Sequence, residues 1–167
     1  MQKGRPQKPR GDKYRLRRMG KSDCYEFELP RSVMDRKDDM DDVREMVKHN
    51  EIDIAIDELR WLLSDCHEMM EAHALLGILA SEFDDPTPDD VELAIAHLEC
   101  ALDIGRAALN NRRLQAPLLY DRPTNLPFFQ AGLAMIQLLR SQGDKQAADQ
   151  LLQELIRLDP KLPLPLQ

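Results

Sequence analysis

Aromatic residues are scarce in this 167-residue chain: one Trp, three Tyr and four Phe, 5% in all. With Leu and Ala abundant instead, helices are favoured over an extensive sheet. Long apolar runs are missing too. None approaches the roughly 18 residues of a membrane span, so no membrane partner is expected. The first 22 residues hold no apolar core of the kind that marks a secretory signal. Cysteine is limited to Cys24, Cys66 and Cys100, an odd number, far apart and without a C-x-x-C. Reduced thiols in a cytoplasmic protein are expected, not a disulfide framework. The glycine-rich loops that cradle phosphates are absent, as is the G-x-S-x-G turn that presents a nucleophilic serine.

What is present begins with charge. The net charge of −7 hides a division, because residues 1–22 carry nine Lys or Arg against one Asp, leaving −15 on the remainder. Residues 1–30 read as a basic arm and linker without structure of their own: prolines, glycines and charge leave too little apolar surface to offset the ordering entropy. "CYEFELP" (Cys24–Pro30) alternates apolar and acidic residues, as a short extended segment or a packed linker would.

From residue 31 onward one helical domain is expected. Met40, Val43, Met46 and Val47 mark one helix; Ile52, Ala55, Ile56, Leu59, Leu62 and Leu63 mark the next. "MMEAHALLGILASEF" makes a third, and "DDPTPDD" then interrupts. There Thr87 is placed to cap, Pro88 suits the first helical position, and Thr87-x-x-Asp90 has capping-box spacing. A fourth helix follows, then a long connection, Asn110–Asn125. A fifth ends at Gly143, suited to a left-handed stop, and Asp144 caps a sixth. The reading is all-α: three antiparallel pairs at about 37–65, 69–110 and 127–159.

The pairs share spacings. His73-x2-Leu76-Gly77-x2-Ala80 precedes Ala94-x3-Leu98, and Gly132-x2-Met135-Ile136-x2-Leu139 precedes Ala148-x3-Leu152 and Pro160; the first pair shows only Ala55-x3-Leu59. These residues resemble the tetratricopeptide pattern of about 34 residues. The three alanines stand 39 and 54 residues apart, so the repeats are divergent. The Asn125-x-Pro127-Phe128 entry is similar to one in some bacterial tetratricopeptide-like proteins of unknown role. The resemblance implies a short α-solenoid, and a protein-binding scaffold that holds a peptide or helix in the groove lined by the first helix of each pair. Carried over by slot, the groove residues are Lys37, Met40, Arg44 and Val47; then Glu71, Ala74, Ile78 and Ser81; then Gln130, Leu133, Gln137 and Arg140. Arg44 and Arg140 would stand at opposite ends of an apolar middle, suiting a segment with an acidic flank. The basic clamp by which some family members grip chaperone tails is missing, since its positions include Met40, Leu75 and Ala134.

A second reading gives the arm the work. Arg5, Lys8, Arg10, Lys13, Arg15, Arg17 and Arg18 would contact phosphates of nucleic acid or the ribosome, with affinity that falls as salt rises. Self-association is a third, because three repeats are a minimal array and an apolar terminal face needs a cover. Catalysis is not expected. "HEMMEAH" (His67–His73) approaches the zinc motif H-E-x-x-H, but position 71 is Glu and His73 lies six residues from His67, on another face. No cofactor or metal is expected. Trp61, Met69 and Met70 read as core.

Overall fold

The computed structural model describes residues 12–164. Two antiparallel strands come first, β1 (Arg15–Met19) and β2 (Cys24–Glu28), joined by a turn in which Asp23 takes a left-handed backbone, φ 43°. One helical turn, α1 (Arg31–Met34), follows Pro30. Six longer helices build the body: α2 (Lys37–Lys48), α3 (Ile52–Asp65), α4 (Met70–Ser81), α5 (Pro88–Leu109), α6 (Leu126–Ser141) and α7 (Lys145–Leu158). Among the described residues the fold is therefore mostly helical, with one two-stranded sheet in place of the all-α expectation.

The long helices obey their sequence signals. Thr87 Oγ1 accepts the Asp90 N–H at 3.2 Å, and the Asp90 carboxylate accepts the Thr87 N–H at 2.9 Å. The Thr87 hydroxyl also donates to the Asp90 carboxylate at 2.7 Å, and that bond, followed by the one from the Thr87 N–H, holds the Asp90 carboxyl below the ordinary carboxylate range. Gly143 is left-handed, φ 85°, and Asp144 accepts the Ala147 N–H at 3.1 Å to start α7. Each long helix packs on the next, and α4 also lies against α6. Ala55, Ala94 and Ala148 are completely buried, each 0% exposed, where a larger residue would hold neighbours apart. At the base of α6 a Cβ on Gly105 would come within 2.2 Å of the Phe128 ring, so only glycine admits that ring against α5. Arg106 donates two hydrogen bonds to Glu154, at 2.9 and 2.8 Å, and ties α5 to α7.

The N-terminal region departs from the reading of an arm without structure. Residues 15–28 form the hairpin, while residues 1–11 lie outside the described residues. The physical cause is tertiary. A two-stranded hairpin is marginal in water alone, but this one docks. Phe27 is buried and meets Phe128 edge-on at 5.8 Å, and the Tyr25 N–H donates to the Pro117 carbonyl at 2.8 Å. Arg15 and Arg17 stand opposite Glu28 and Glu26, so cross-strand pairs offset the charge that argued against order.

The connection between α5 and α6 is built in as well. Leu118 is fully buried and its N–H donates to Leu158 O at 2.9 Å. The buried Asp159 carboxylate accepts the N–H groups of Tyr120 and Lys161, both at 2.9 Å. Trp61, by contrast, is not core: it is 52% exposed on α3, with the Arg36 guanidinium 5.4 Å from its ring centre.

Candidate functional site

Where the N-terminal ends of α2, α4 and α6 approach one another, α1 and Tyr14 help enclose a cavity of about 210 Å³. Its apolar wall includes Val33, Met34, Met40, Met69, Met70 and Pro127. Met40, Met69 and Met70 are buried, whereas Met34 is 54% exposed at the mouth. Thioether chains have three rotatable bonds, so a wall of four methionines can reshape around different apolar groups. Tyr14 seals one side. Its hydroxyl accepts the Met70 N–H at 3.2 Å, one of the donors a helix start leaves without an internal partner. Burial pushes the Tyr14 phenol well above its usual range, so it stays neutral. Thr124 is among the lining residues, and its Oγ1 is buried with no hydrogen-bond partner among the described residues.

The rim is charged and balanced. Arg44 on α2 donates two hydrogen bonds to Glu71 on α4, at 2.7 and 2.6 Å, and a third to Asp41. The Glu71 bonds, above the other influences, hold the guanidinium in its charged form. Lys37 donates to Asp41 at 2.8 Å, and that bond chiefly lowers the Asp41 carboxyl. Two cations thus face two carboxylates, and Arg44 is not a free cation awaiting an acidic partner.

The structure divides the residues that the repeat slots nominate. Lys37, Met40, Arg44 and Glu71 converge on the cavity. Val47, Ala74, Ile78, Gln130, Leu133, Gln137 and Arg140 do not line it. Ala74 is only 2% exposed and offers no surface, because α4 is packed on α3, α5 and α6 at once. Val47, Ile78 and Leu133 are half-buried against the core. Ser81 spends its hydroxyl on Ile78 O at 2.7 Å. Gln130, Gln137 and Arg140 are exposed on α6, with Arg140 3.8 Å from Asp149.

Sequence reasoning missed the other half of the site: Tyr14, Met34, Pro123, Thr124 and Pro127. Tyr14 comes from the segment read as arm, Pro123 and Thr124 from the connection, and Met34 and Pro127 from the margins of the helical pairs. One buried residue holds those segments together. Asn125 is 0% exposed; its Oδ1 accepts the Phe27 N–H, and its Nδ2 donates to Tyr25 O and Leu119 O, each at 2.9 Å. The Asn-Leu-Pro-Phe stretch was the available signal, and it pointed to a helix start when the side chain in fact joins hairpin to body.

The histidines lie elsewhere. His73 Nε2 donates to His67 O at 2.7 Å, which leaves His73 Nδ1 to accept from His97 Nδ1 at 2.9 Å. Burial is the first cause lowering the pKa of both rings, so neither readily takes a second proton. The His67 side chain is exposed, with Glu68 3.5 Å from its Nδ1. Among the described residues no group of three or more His, Cys, Asp or Glu is arranged to hold a metal ion. Cys24 and Cys66 are buried; Cys100 is exposed, and partial burial followed by Asp103 and Glu99 pushes its thiol up.

Of the arm residues, Arg5, Lys8 and Arg10 lie outside the described residues, while Lys13, Arg15, Arg17 and Arg18 are exposed. Arg18 pairs with Asp23 at 3.0 Å and donates to Gln115 at 3.2 Å. The strand therefore presents less free charge than its composition suggests. No helix among the described residues is long and apolar enough to cross a membrane. No family model, no curated protein and no solved structure matches the chain.

Proposed function

We propose that this chain is a non-enzymatic, tetratricopeptide-like protein-interaction module that captures a peptide or helix by one large apolar side chain. The observation that carries the reading is the methionine-walled cavity between α1, α2 and the start of α4. At about 210 Å³ it falls below the range of about 300–1,000 Å³ typical of cofactor and drug-sized ligand sites. A single Leu, Met or Phe side chain fits it better. The order of helix packing and the buried alanines Ala55, Ala94 and Ala148 support the repeat reading. The neutral rim removes the need for the acidic flank that Arg44 and Arg140 suggested, and supports specificity through the apolar anchor.

Peptides selected from a random displayed library against the full chain test this. The selected sequences should share one large apolar residue, and their binding should shift the methyl resonances of Met34, Met40, Met69 and Met70. Met34→Glu, at an exposed position, should abolish that binding without changing helical content. Selected peptides that ignore Met34→Glu and shift methionine methyls elsewhere would place the site away from this cavity.

A further inference from the structure

We infer that a second site, a basic cleft between the Asn110–Asn125 connection and the end of α7, binds the phosphates of single-stranded nucleic acid. The cleft is about 720 Å³ and is bordered by Arg112, Arg113, Arg157 and Lys161, over a floor that includes Leu114 and Pro117. It shares no residue with the methionine cavity.

Charge is the first argument. None of the four cations makes an ion pair among the described residues, in contrast to Arg36, Arg44 and Arg106, each of which is paired. The cleft's single carboxylate, Asp159, is already engaged by the backbone N–H groups of Tyr120 and Lys161. Two helices, α5 and α7, end nearby, and each C-terminus contributes about half a negative charge. Four cations against one carboxylate and those two ends leave about two positive charges uncompensated. The body carries −15 outside its first 22 residues, so the charge of the cleft runs against the overall balance. Three of the four are arginines, whose planar fork matches phosphate oxygens in pairs.

Shape is the second. A concavity of about 720 Å³ offers a depression in which one strand can lie. Its floor is aliphatic and proline-lined, so bases can lie on it by apolar contact, and the affinity rests on the phosphates. The hairpin adds to the same end of the molecule: Arg18 of β1 contacts Gln115, which lines the cleft. Sequence composition placed phosphate contact in the N-terminal arm alone; the fold sets the strand part of that arm beside a cleft drawn from residues 112–161.

The test is fluorescence anisotropy of a labelled 12-nucleotide single strand titrated with the full chain. At 50 mM salt, the double variants Arg112→Glu/Arg113→Glu and Arg157→Glu/Lys161→Glu should each weaken binding at least tenfold. Neutralising about two phosphates sets a slope near −1.4 for log K against log salt, and either variant should flatten it. Arg60→Glu on α3, an exposed position away from the cleft, should change affinity less than twofold. Unchanged binding by the cleft variants overturns the inference, as does an equal loss with Arg60→Glu. A 12-residue polyglutamate that competes as well as the oligonucleotide also overturns it, and assigns the cleft to an acidic protein segment.

Discussion

Asn125→Asp separates the tertiary role of Asn125 from its place at a helix start. The replacement keeps size and shape and keeps the acceptor for the Phe27 N–H. It exchanges Nδ2, which donates to Tyr25 O and Leu119 O at 2.9 Å, for an oxygen that can only accept. Two buried carbonyls then lose their donor and face an anion. Each buried group left without its partner costs about 1–3 kcal/mol, so the expected loss at pH 7 is about 2–6 kcal/mol. That loss falls first on docking of the hairpin, since both the Phe27 and the Tyr25 contacts run through this residue. Hydrogen exchange should therefore show faster opening for amides of residues 15–28 than for those of α4 or α5. The cost must also depend on pH with a defined sign. Burial beside two carbonyls raises the folded-state pKa of the new carboxyl above its unfolded value of about 3.9. A raised folded pKa makes the folded state bind the extra proton, so the variant regains stability as pH falls from 7 towards 4, when an O–H can donate to one carbonyl. Denaturant midpoints of both proteins at pH 7 and pH 5 decide it. A variant as stable as wild type at pH 7, or one whose deficit does not shrink on acidification, would refute the reasoning.

Gly105→Ala should lower stability by about 1–2 kcal/mol, because overpacking against Phe128, about 1–3 kcal/mol, exceeds the gain of about 0.5–1 kcal/mol from helix propensity; a thermal midpoint that rises instead would show that Phe128 gives way. The depressed His73 pKa means that the unfolded state takes a proton near pH 6.5 while the folded state does not. Stability should thus be full above that pH and fall as pH drops below it, and His73→Gln should flatten the fall in denaturant midpoint between pH 7.5 and 5.5; equal slopes would remove His73 as the cause. Thr87→Ala should cost about 0.5–2 kcal/mol through loss of the capping bond to Asp90, read as a lower thermal midpoint with unchanged peptide capture.

The six long helices were legible in the sequence because their signals are local. Apolar spacing, the Thr87-Pro88-x-Asp90 cap and the Gly143-Asp144 stop each act over a few residues, and the structure has each where those rules put it. The buried alanines were legible for the same reason, as small residues at fixed offsets on apolar faces. The hairpin was not. Its strand Arg15–Met19 has the composition of an unstructured arm, and its partner strand is held by Phe128, Pro117 and Asn125, about a hundred residues away. Both sites share that origin. The cavity needs Tyr14 and Thr124 brought to Met40 and Met70, and the cleft needs Arg112 and Arg113 brought to Arg157 and Lys161. Periodicity says which face of a helix turns inward; which distant loop comes to rest on that face depends on long-range contacts that no local spacing encodes.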